Sequence, residues 1–581
     1  MRGALFDDLV FLYGRSAAED IRPEFEALLS RWRETFADRA PSRPSAATLT
    51  EKDALLITYA DQVSAPGETP LRTLGAFAGR HLHGVVSGIH LLPFYPWSSD
   101  DGFSVKDYQA VDPDYGTWAD IEEIGRAFDL MFDAVFNHLS AQSEWFSRFL
   151  SGDPAYQDFF VTVEGDPDLS LVVRPRALPL LSEVETVVGR RRVWTTFSAD
   201  QVDLNVRNPK VLLALTDVLL FYVSRGARFI RLDAIAFLWK EIGTSSLHLP
   251  QTHRIIQFMR RVLEEVAPPT LLITETNVPH VDNLSYFGDG TNEAHLVYNF
   301  ALPPLVLHTL TRGDATKLTR WAQSLALPSE CVALFNFLAS HDGIGLNPAR
   351  GILDEDEIAA LVTRTLDRGG FISYKHLPDR SQVPYEMNIN FLDALTNPGE
   401  REEHSIARLI CAHAIQFALA GVPGIYFHSL FGSRGDPAAA KESGIPRRIN
   451  RQKLTRAELE RDLESADSRR TRVFSGLRSL LQTRRESPAF HPCGRQEIVN
   501  HDPRLFVLWR YSPDGRDRVL CVHNVSAAPV ETHLPIGAGE RMDRDAANPL
   551  FAPEGAVRMP HPSVLSISLP AWSVAWISVA R

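Results

Sequence analysis

Cysteine is scarce in this 581-residue sequence, with Cys331, Cys411, Cys493 and Cys521 its four examples. They lie far apart and lack metal-ligand spacing, which excludes a disulfide framework or zinc knuckle and leaves reduced, mostly buried thiols. Long hydrophobic runs are missing too. Stretches such as 211–223 are interrupted and too short for a bilayer, so no membrane-spanning segment is expected. There is no basic excess: 60 Lys and Arg stand against 72 Asp and Glu, a net −12 spread along the chain, which excludes a nucleic-acid footprint and a basic membrane-binding face. The first ten residues hold Asp7 and Asp8 and no long apolar core, so no signal peptide is expected and the location read is cytoplasmic. Internal repeats and low-complexity tracts are absent.

What is present is a soluble globular composition, 44% apolar and 23% charged. Residues 1–53 read as a helical extension, with apolar residues at helical spacing over 21–36 and a Pro/Ser/Ala-rich linker at 40–48. Strand-like runs follow at 54–60, 86–94, 130–136, 228–235, 271–274, 295–300, 332–338 and 422–427. Amphipathic helical stretches such as 71–82, 118–128, 209–224, 251–266 and 402–419 lie between them. Eight strands alternating with helices predict an α/β fold, a (β/α)8 TIM barrel assembled from 54–138, 209–342 and 401–487. An open doubly wound sheet is the runner-up, and the missing Gly-rich fingerprint after the first strand counts against it. Two connections exceed a normal βα loop, 139–208 after the third strand and 343–400 after the seventh. Both are read as inserted domains on the C-terminal face, where barrels carry their sites. From 488 onward, short β-rich segments separated by Pro, Gly and Asp predict an antiparallel β domain.

The ends of the predicted strands are unusually polar. Arg231 and Asp233, two apart, project to one side of the fourth strand, where a charged pair is costly unless paired or used. The third run ends Asp133-Ala134-Val135-Phe136-Asn137-His138, the fifth runs into Glu275, and the seventh into His341 and Asp342. Singly, each has a structural reading: an ion pair, a helix cap, a turn residue, a satisfied core histidine. Three carboxylates at successive strand ends with an arginine and two histidines instead suit acid/base and nucleophilic work on one bond.

These four blocks, in this order, resemble the signature regions of the α-amylase superfamily of retaining glycosidases. The segments 56–61, 90–94, 240–245, 300–304 and 341–345 narrow the resemblance to its sucrose phosphorylase branch, over about 54–485. The N-terminal residues lie outside the plain sucrose phosphorylase pattern and resemble the longer relatives that act on glucosylglycerate and glucosylglycerol. The resemblance implies a β-glucosyl-enzyme on Asp233, with Glu275 as acid and then base, and Asp342 stabilising the transition state. For a retaining pair, the Asp233 and Glu275 carboxyls are expected roughly 5–5.5 Å apart. Arg231 would keep Asp233 ionised. His138 and His341 would donate to sugar hydroxyls, and Asp100 and Arg447 match the pair that grips the far end of the glucose.

The same resemblance places Arg176 as the phosphate contact, suited to it by its bidentate fork, with Phe197 beside it. Val173 and Phe237 stand where sucrose phosphorylases usually carry tyrosine, next to the acceptor pocket. The loop holding Lys375, His376 and Arg380 is basic, which would match a carboxylated acceptor such as glycerate. No metal and no cofactor is expected, since no acidic loop accompanies Asn137. The implied partners are a small-molecule α-glucoside and inorganic phosphate, and a homodimer is an assembly the branch allows. The favoured reading is phosphorolysis of 2-O-α-glucosylglycerate. The alternatives are sucrose, sucrose 6-phosphate or glucosylglycerol phosphorolysis, an α-glucosidase or transglucosidase, and a non-catalytic amylase-like subunit, the last disfavoured because all three acids are present.

Overall fold

A computed structural model describes residues 3–37, 49–176, 178–267, 270–376, 382–535, 547–561 and 563–579. The linker read at 40–48 therefore lies outside the described residues. Eight parallel strands close a barrel: β1 (Leu55–Thr58), β2 (Gly88–Leu91), β3 (Asp129–Ala134), β4 (Ala227–Leu232), β5 (Leu271–Thr274), β6 (Leu296–Tyr298), β7 (Ala333–Phe337) and β8 (Val422–Tyr426). Each pairs with its sequence neighbours, and β1 with β8. The strands are apolar along nearly their whole length because helices cover one face and packed side chains fill the other; every residue of β1, β2, β4, β5 and β7 is buried. The sequence runs overshoot most strands by one to three residues. What lies beyond the last rung, such as Asp233 after β4 and Glu275 after β5, is the polar rim of the site.

The helix read at 21–36 belongs to a longer hairpin of α1 (Gly3–Tyr13) and α2 (Arg15–Ala37), turned at Gly14 with φ 78°. α1 lies within the helical extension read over 1–53, although its apolar residues, present on most sides, show little helical periodicity. The hairpin packs on two barrel helices, α3 (Pro209–Ser224) and α4 (Pro250–Val266). Asp8 is fully buried between Arg254 and Arg261, Trp32 donates to Asp217 at 2.7 Å, and the Tyr13 hydroxyl donates to the Val206 carbonyl at 2.9 Å. Asn208 starts α3 by accepting from Lys210 N, with Pro209 in the first turn, so the long excursion after β3 ends on a well-defined cap.

Residues 139–208 carry a hairpin (Leu181–Thr186 with Gly189–Trp194) over a small core of Val163, Val172, Leu180 and Trp194. Residues 343–400 hold a helix, Glu355–Asp367, and a three-stranded sheet whose central strand, Gln382–Asn388, pairs with Phe371–His376 and Ile344–Gly345. That stretch looked polar in the sequence, since its two longer strands are partly exposed and Pro384 interrupts one of them. At the C-terminal end, a five-stranded and a three-stranded antiparallel sheet enclose a separate core that includes Val507, Leu520, Leu565 and Ile577. Among the described residues, no helix is long and apolar enough to cross a membrane.

Candidate active site

A cavity of about 580 Å³ opens at the C-terminal ends of the barrel strands. Its walls include Asp100, His138, Arg176, Phe197, Asp233, Phe237, Glu275, His341, Asp342 and Arg447, so ten of the residues singled out in the sequence converge on one space. Arg231 lies beneath its floor, 2% exposed. Register explains the placement: Arg231 sits beside Asp133 of β3 and Ile273 of β5, with its side chain turned into the barrel. The Asp233 amide donates to Ala134 O at 3.2 Å and the Glu275 amide to Leu232 O at 3.1 Å, fixing both carboxylates at the rim.

The floor is a chain of buried charges. His90 Nε2 lies 2.7 Å from Asp133 Oδ2, and Asp133 Oδ1 accepts from Arg231. Arg231 Nη1 then reaches Asp233 Oδ1 at 2.7 Å, while Nη2 lies 3.8 Å from Glu275 Oε2. Glu275 Oε2 also accepts from the amide of Ala234, which adopts a left-handed φ of 47°. Burial pushes both the Asp233 and Glu275 carboxyls up, against the pull of Arg231. The guanidinium is over 1 Å closer to Asp233 than to Glu275, which favours the negative charge on Asp233 of the two.

Asp342 differs. Burial opposes its ionisation, yet Arg447 Nη1 at 2.8 Å, with His341, Arg451 and Arg231 nearby, holds it well below the usual carboxylate range. Asp100 is likewise held low, despite burial, by Arg176, Arg451 and Arg447. His341 is pushed down to about 3 by burial and stacks on Phe103 at 4.7 Å, so it is a neutral imidazole. His138 is lowered by burial as well, and its Nε2 sits 2.8 Å from the Phe103 carbonyl, already engaged with backbone. Arg176 Nη2 donates to Asp100 Oδ2 at 2.8 Å, with its guanidinium 5.5 Å above Phe197. Phe197 meets Phe237 edge-on at 5.6 Å.

The basic loop is placed differently from the sequence reading. Lys375 does not line the cavity; its ammonium donates to Asn347 Oδ1 at 2.9 Å. Side chains alternate along a strand, so with Tyr374 turned to the cavity, Lys375 points away. The His376 side chain and Arg380 lie outside the described residues. Val173 is also off the cavity wall, its amide bonded to Ser245 O.

Several residues that brace the cavity were given no role from the sequence, although Lys240 opens the resembling segment 240–245. Glu386, 1% exposed, accepts from Arg447 Nε at 2.9 Å and Nη2 at 2.6 Å, fixing the guanidinium that reaches Asp342. Arg451 donates to His341 O and contacts Asp101. Lys240, 4% exposed, joins Asn137 Oδ1 at 2.6 Å to Asp203 Oδ2 at 2.7 Å and so ties β3, the loop after β4 and the 139–208 insertion. The run 446–451, three arginines in six residues next to Arg447, was the available signal for Arg451. Among the described residues, no group of three or more His, Cys, Asp and Glu is arranged to hold a metal ion.

Residues 83–343 match the family described as alpha amylase, catalytic domain. A glucosylglycerate phosphorylase from Allomeiothermus silvanus is 52% identical, over 91% of this chain and 93% of that protein. One from Spirochaeta thermophila is 48% identical over 99% and 98%. The crystal structure of sucrose 6F-phosphate phosphorylase from Thermoanaerobacter thermosaccharolyticum superposes with a TM-score of 0.72 at 26% identity, covering 83% of this chain and 95% of that one. With a closed barrel, three carboxylates at its strand ends and relatives of this identity along nearly its full length, the chain belongs to the α-amylase family, within the group that contains the glucosylglycerate phosphorylases.

Proposed function

We propose that this protein is a glucosylglycerate phosphorylase, converting 2-O-α-glucosylglycerate and phosphate into α-glucose 1-phosphate and glycerate by double displacement. The observation that carries the acceptor is the 52% likeness to a protein of that activity over 91% of the chain. The second such relative aligns over 99%, which takes in the N-terminal helical hairpin. The observation that supports the chemistry is the unequal hold of Arg231 on Asp233 and Glu275, 2.7 against 3.8 Å.

In the first displacement, an Asp233 oxygen attacks the anomeric carbon as the bond to glycerate breaks. Glu275 gives its proton to the departing oxygen, leaving a β-glucosyl ester on Asp233. In the second, Glu275 takes a proton from phosphate, a phosphate oxygen attacks the same carbon, and the ester bond to Asp233 breaks. Two inversions retain the α configuration. Asp342, kept anionic by Arg447, faces the charge that develops on the sugar. Asp100 and Arg447 hold the far hydroxyls, and His341, neutral and stacked on Phe103, is set to donate. Arg176 beside Phe197 is the cavity arginine not bound to Asp342, and it meets the phosphate dianion. Lys375 is not part of this reading.

The reverse reaction tests it. With α-glucose 1-phosphate supplied alongside glycerate, glycerol, fructose or fructose 6-phosphate, phosphate release should be at least about tenfold faster with glycerate than with any other acceptor. Fructose outpacing glycerate would move the protein to sucrose phosphorolysis. Free glucose at a rate indifferent to acceptor and phosphate would make it a hydrolase.

A further inference from the structure

Three consecutive residues near the cavity, Asp100, Asp101 and Gly102, have φ of 55°, 48° and 111°. Glycine adopts such values freely, and at Gly102 a Cβ would come within 2.6 Å of Pro93 O. Two aspartates in succession do not adopt them without help, and conformations of this kind persist only where surrounding contacts over-determine them. Asp100 points into the cavity, but Asp101 is not among its lining residues. Its carboxylate turns outward, taking Arg448 Nη2 at 2.7 Å on Oδ1 and Arg451 Nη1 at 2.7 Å on Oδ2.

Arg448 shares a short helix, Pro446–Asn450, with Arg447, and Arg451 follows directly after it. Arg451, 3% exposed, continues from Asp101 to the His341 carbonyl at 2.9 Å, and its Nη2 lies 3.5 Å from Asp342. Asp101 is thus a point where the turn after β2 is bolted to the segment after β8, with Arg451 also 3.9 Å from Asp100, and the two segments bring Asp100 and Arg447 to the same cavity. We propose that Asp101 is a positioning residue: gripped by Arg448 and Arg451, it holds the left-handed turn that aims Asp100 and fixes the separation of Asp100 from Arg447 across the glucose-binding end of the cavity. The proposal rests on the reading of that end as the glucosyl site; it does not depend on which acceptor the enzyme uses.

The test measures kcat/KM with three glucosyl donors: 2-O-α-glucosylglycerate, α-glucose 1-phosphate and α-glucosyl fluoride. The fluoride needs no particular acceptor, so it still reports the glucose site if glucosylglycerate is not the substrate. Asp101→Ala should lower kcat/KM by about tenfold, and by the same factor for all three donors, with the KM for phosphate changed by less than about twofold. Asp101→Asn, whose side chain tolerates the left-handed turn and keeps one acceptor oxygen for the two arginines, should recover part of the loss. Arg448→Met leaves Arg451 in place and should give a smaller, equally donor-independent loss; it decides the matter if Asp101→Ala fails to fold. The proposal is overturned if both Asp101→Ala and Arg448→Met stay within about twofold of the parent. It is overturned equally if the loss falls on one donor or on phosphate, or if a folded Asp101→Asn is no better than Asp101→Ala.

Discussion

Lys240 offers a sharp test of how the site is held together. Its ammonium is buried where three segments meet, between Asn137 after β3 and Asp203 in the insertion. Burial lowers its pKa and the Asp203 carboxylate opposes that shift. Lys240→Met keeps the volume and removes the charge, leaving a fully buried carboxylate without its cation. Breaking a buried pair in this way costs about 3–5 kcal/mol. Asp203 keeps hydrogen bonds from Thr196 N at 3.0 Å, Thr196 Oγ1 at 2.5 Å and Asn137 Nδ2 at 3.3 Å, which places the loss near the lower end, about 3 kcal/mol. Asp203→Asn strands the ammonium instead and should cost about the same. The double variant has no charge left to strand and should lose only hydrogen bonding, about 1 kcal/mol. Additivity would require about 6 kcal/mol, so the cycle should show a coupling of about 3 kcal/mol or more. Urea unfolding followed by tryptophan fluorescence reads it, since Trp194 donates to Thr196 Oγ1 beside the pair. A double variant as unstable as the sum of the singles, or a Lys240→Met loss below about 1 kcal/mol, would refute the argument.

Other outcomes follow from the same geometry. Asp233→Asn should lose at least about 10⁴-fold in turnover with an unchanged circular dichroism spectrum. Because burial raises the folded-state pKa of Asp233, its charge costs stability at neutral pH, so the variant should melt no lower than the parent; a lower Tm would count against this account. Glu275, also raised by burial, works as an acid only while protonated, so kcat/KM for glucosylglycerate should fall as pH rises through its raised pKa. That limb should vanish in Glu275→Gln and with α-glucosyl fluoride, whose leaving group needs no proton; a limb persisting in Glu275→Gln assigns the acid elsewhere.

The barrel was legible because its strands are short, continuous apolar runs separated by amphipathic helices, a pattern set by burial on both faces. The 343–400 sheet was not, because Phe371–His376 and the first half of Gln382–Asn388 are partly exposed, and the one buried strand they meet, Ile344–Gly345, is two residues long. Helix α1 gave no clear period because apolar residues also occupy positions off its buried face, Phe11 being 47% exposed, while a charged residue, Asp8, sits on the face of Leu5, Leu9 and Leu12 that is buried. Lys375 shows the limit for site residues: the sequence places a cation on a loop near the acceptor, but which wall of the hairpin it faces is decided by strand alternation and by a register shift between Ser373 and Tyr374.

The pairing of Arg231 with Asp233 was visible two residues apart, but its meaning depends on groups 98 and 44 positions away. Asp133 lies on one side of the guanidinium and Glu275 on the other. Arg231 and His90 keep Asp133 ionised against its burial, while His90 itself is lowered by burial and stays neutral. With one proton on Glu275, the cluster of Asp133, Arg231, Asp233 and Glu275 carries a net charge of −1. Water cannot screen that charge at the cavity floor, and a positive charge develops on the anomeric carbon as the glycosidic bond opens. The field therefore favours the transition state over the ground state, whose glucosyl ring carries no charge. Without Asp133, the guanidinium would neutralise Asp233 outright and the floor would lose its bias. A buried aspartate that never touches the sugar is thus as much a part of the electrostatic design as the nucleophile.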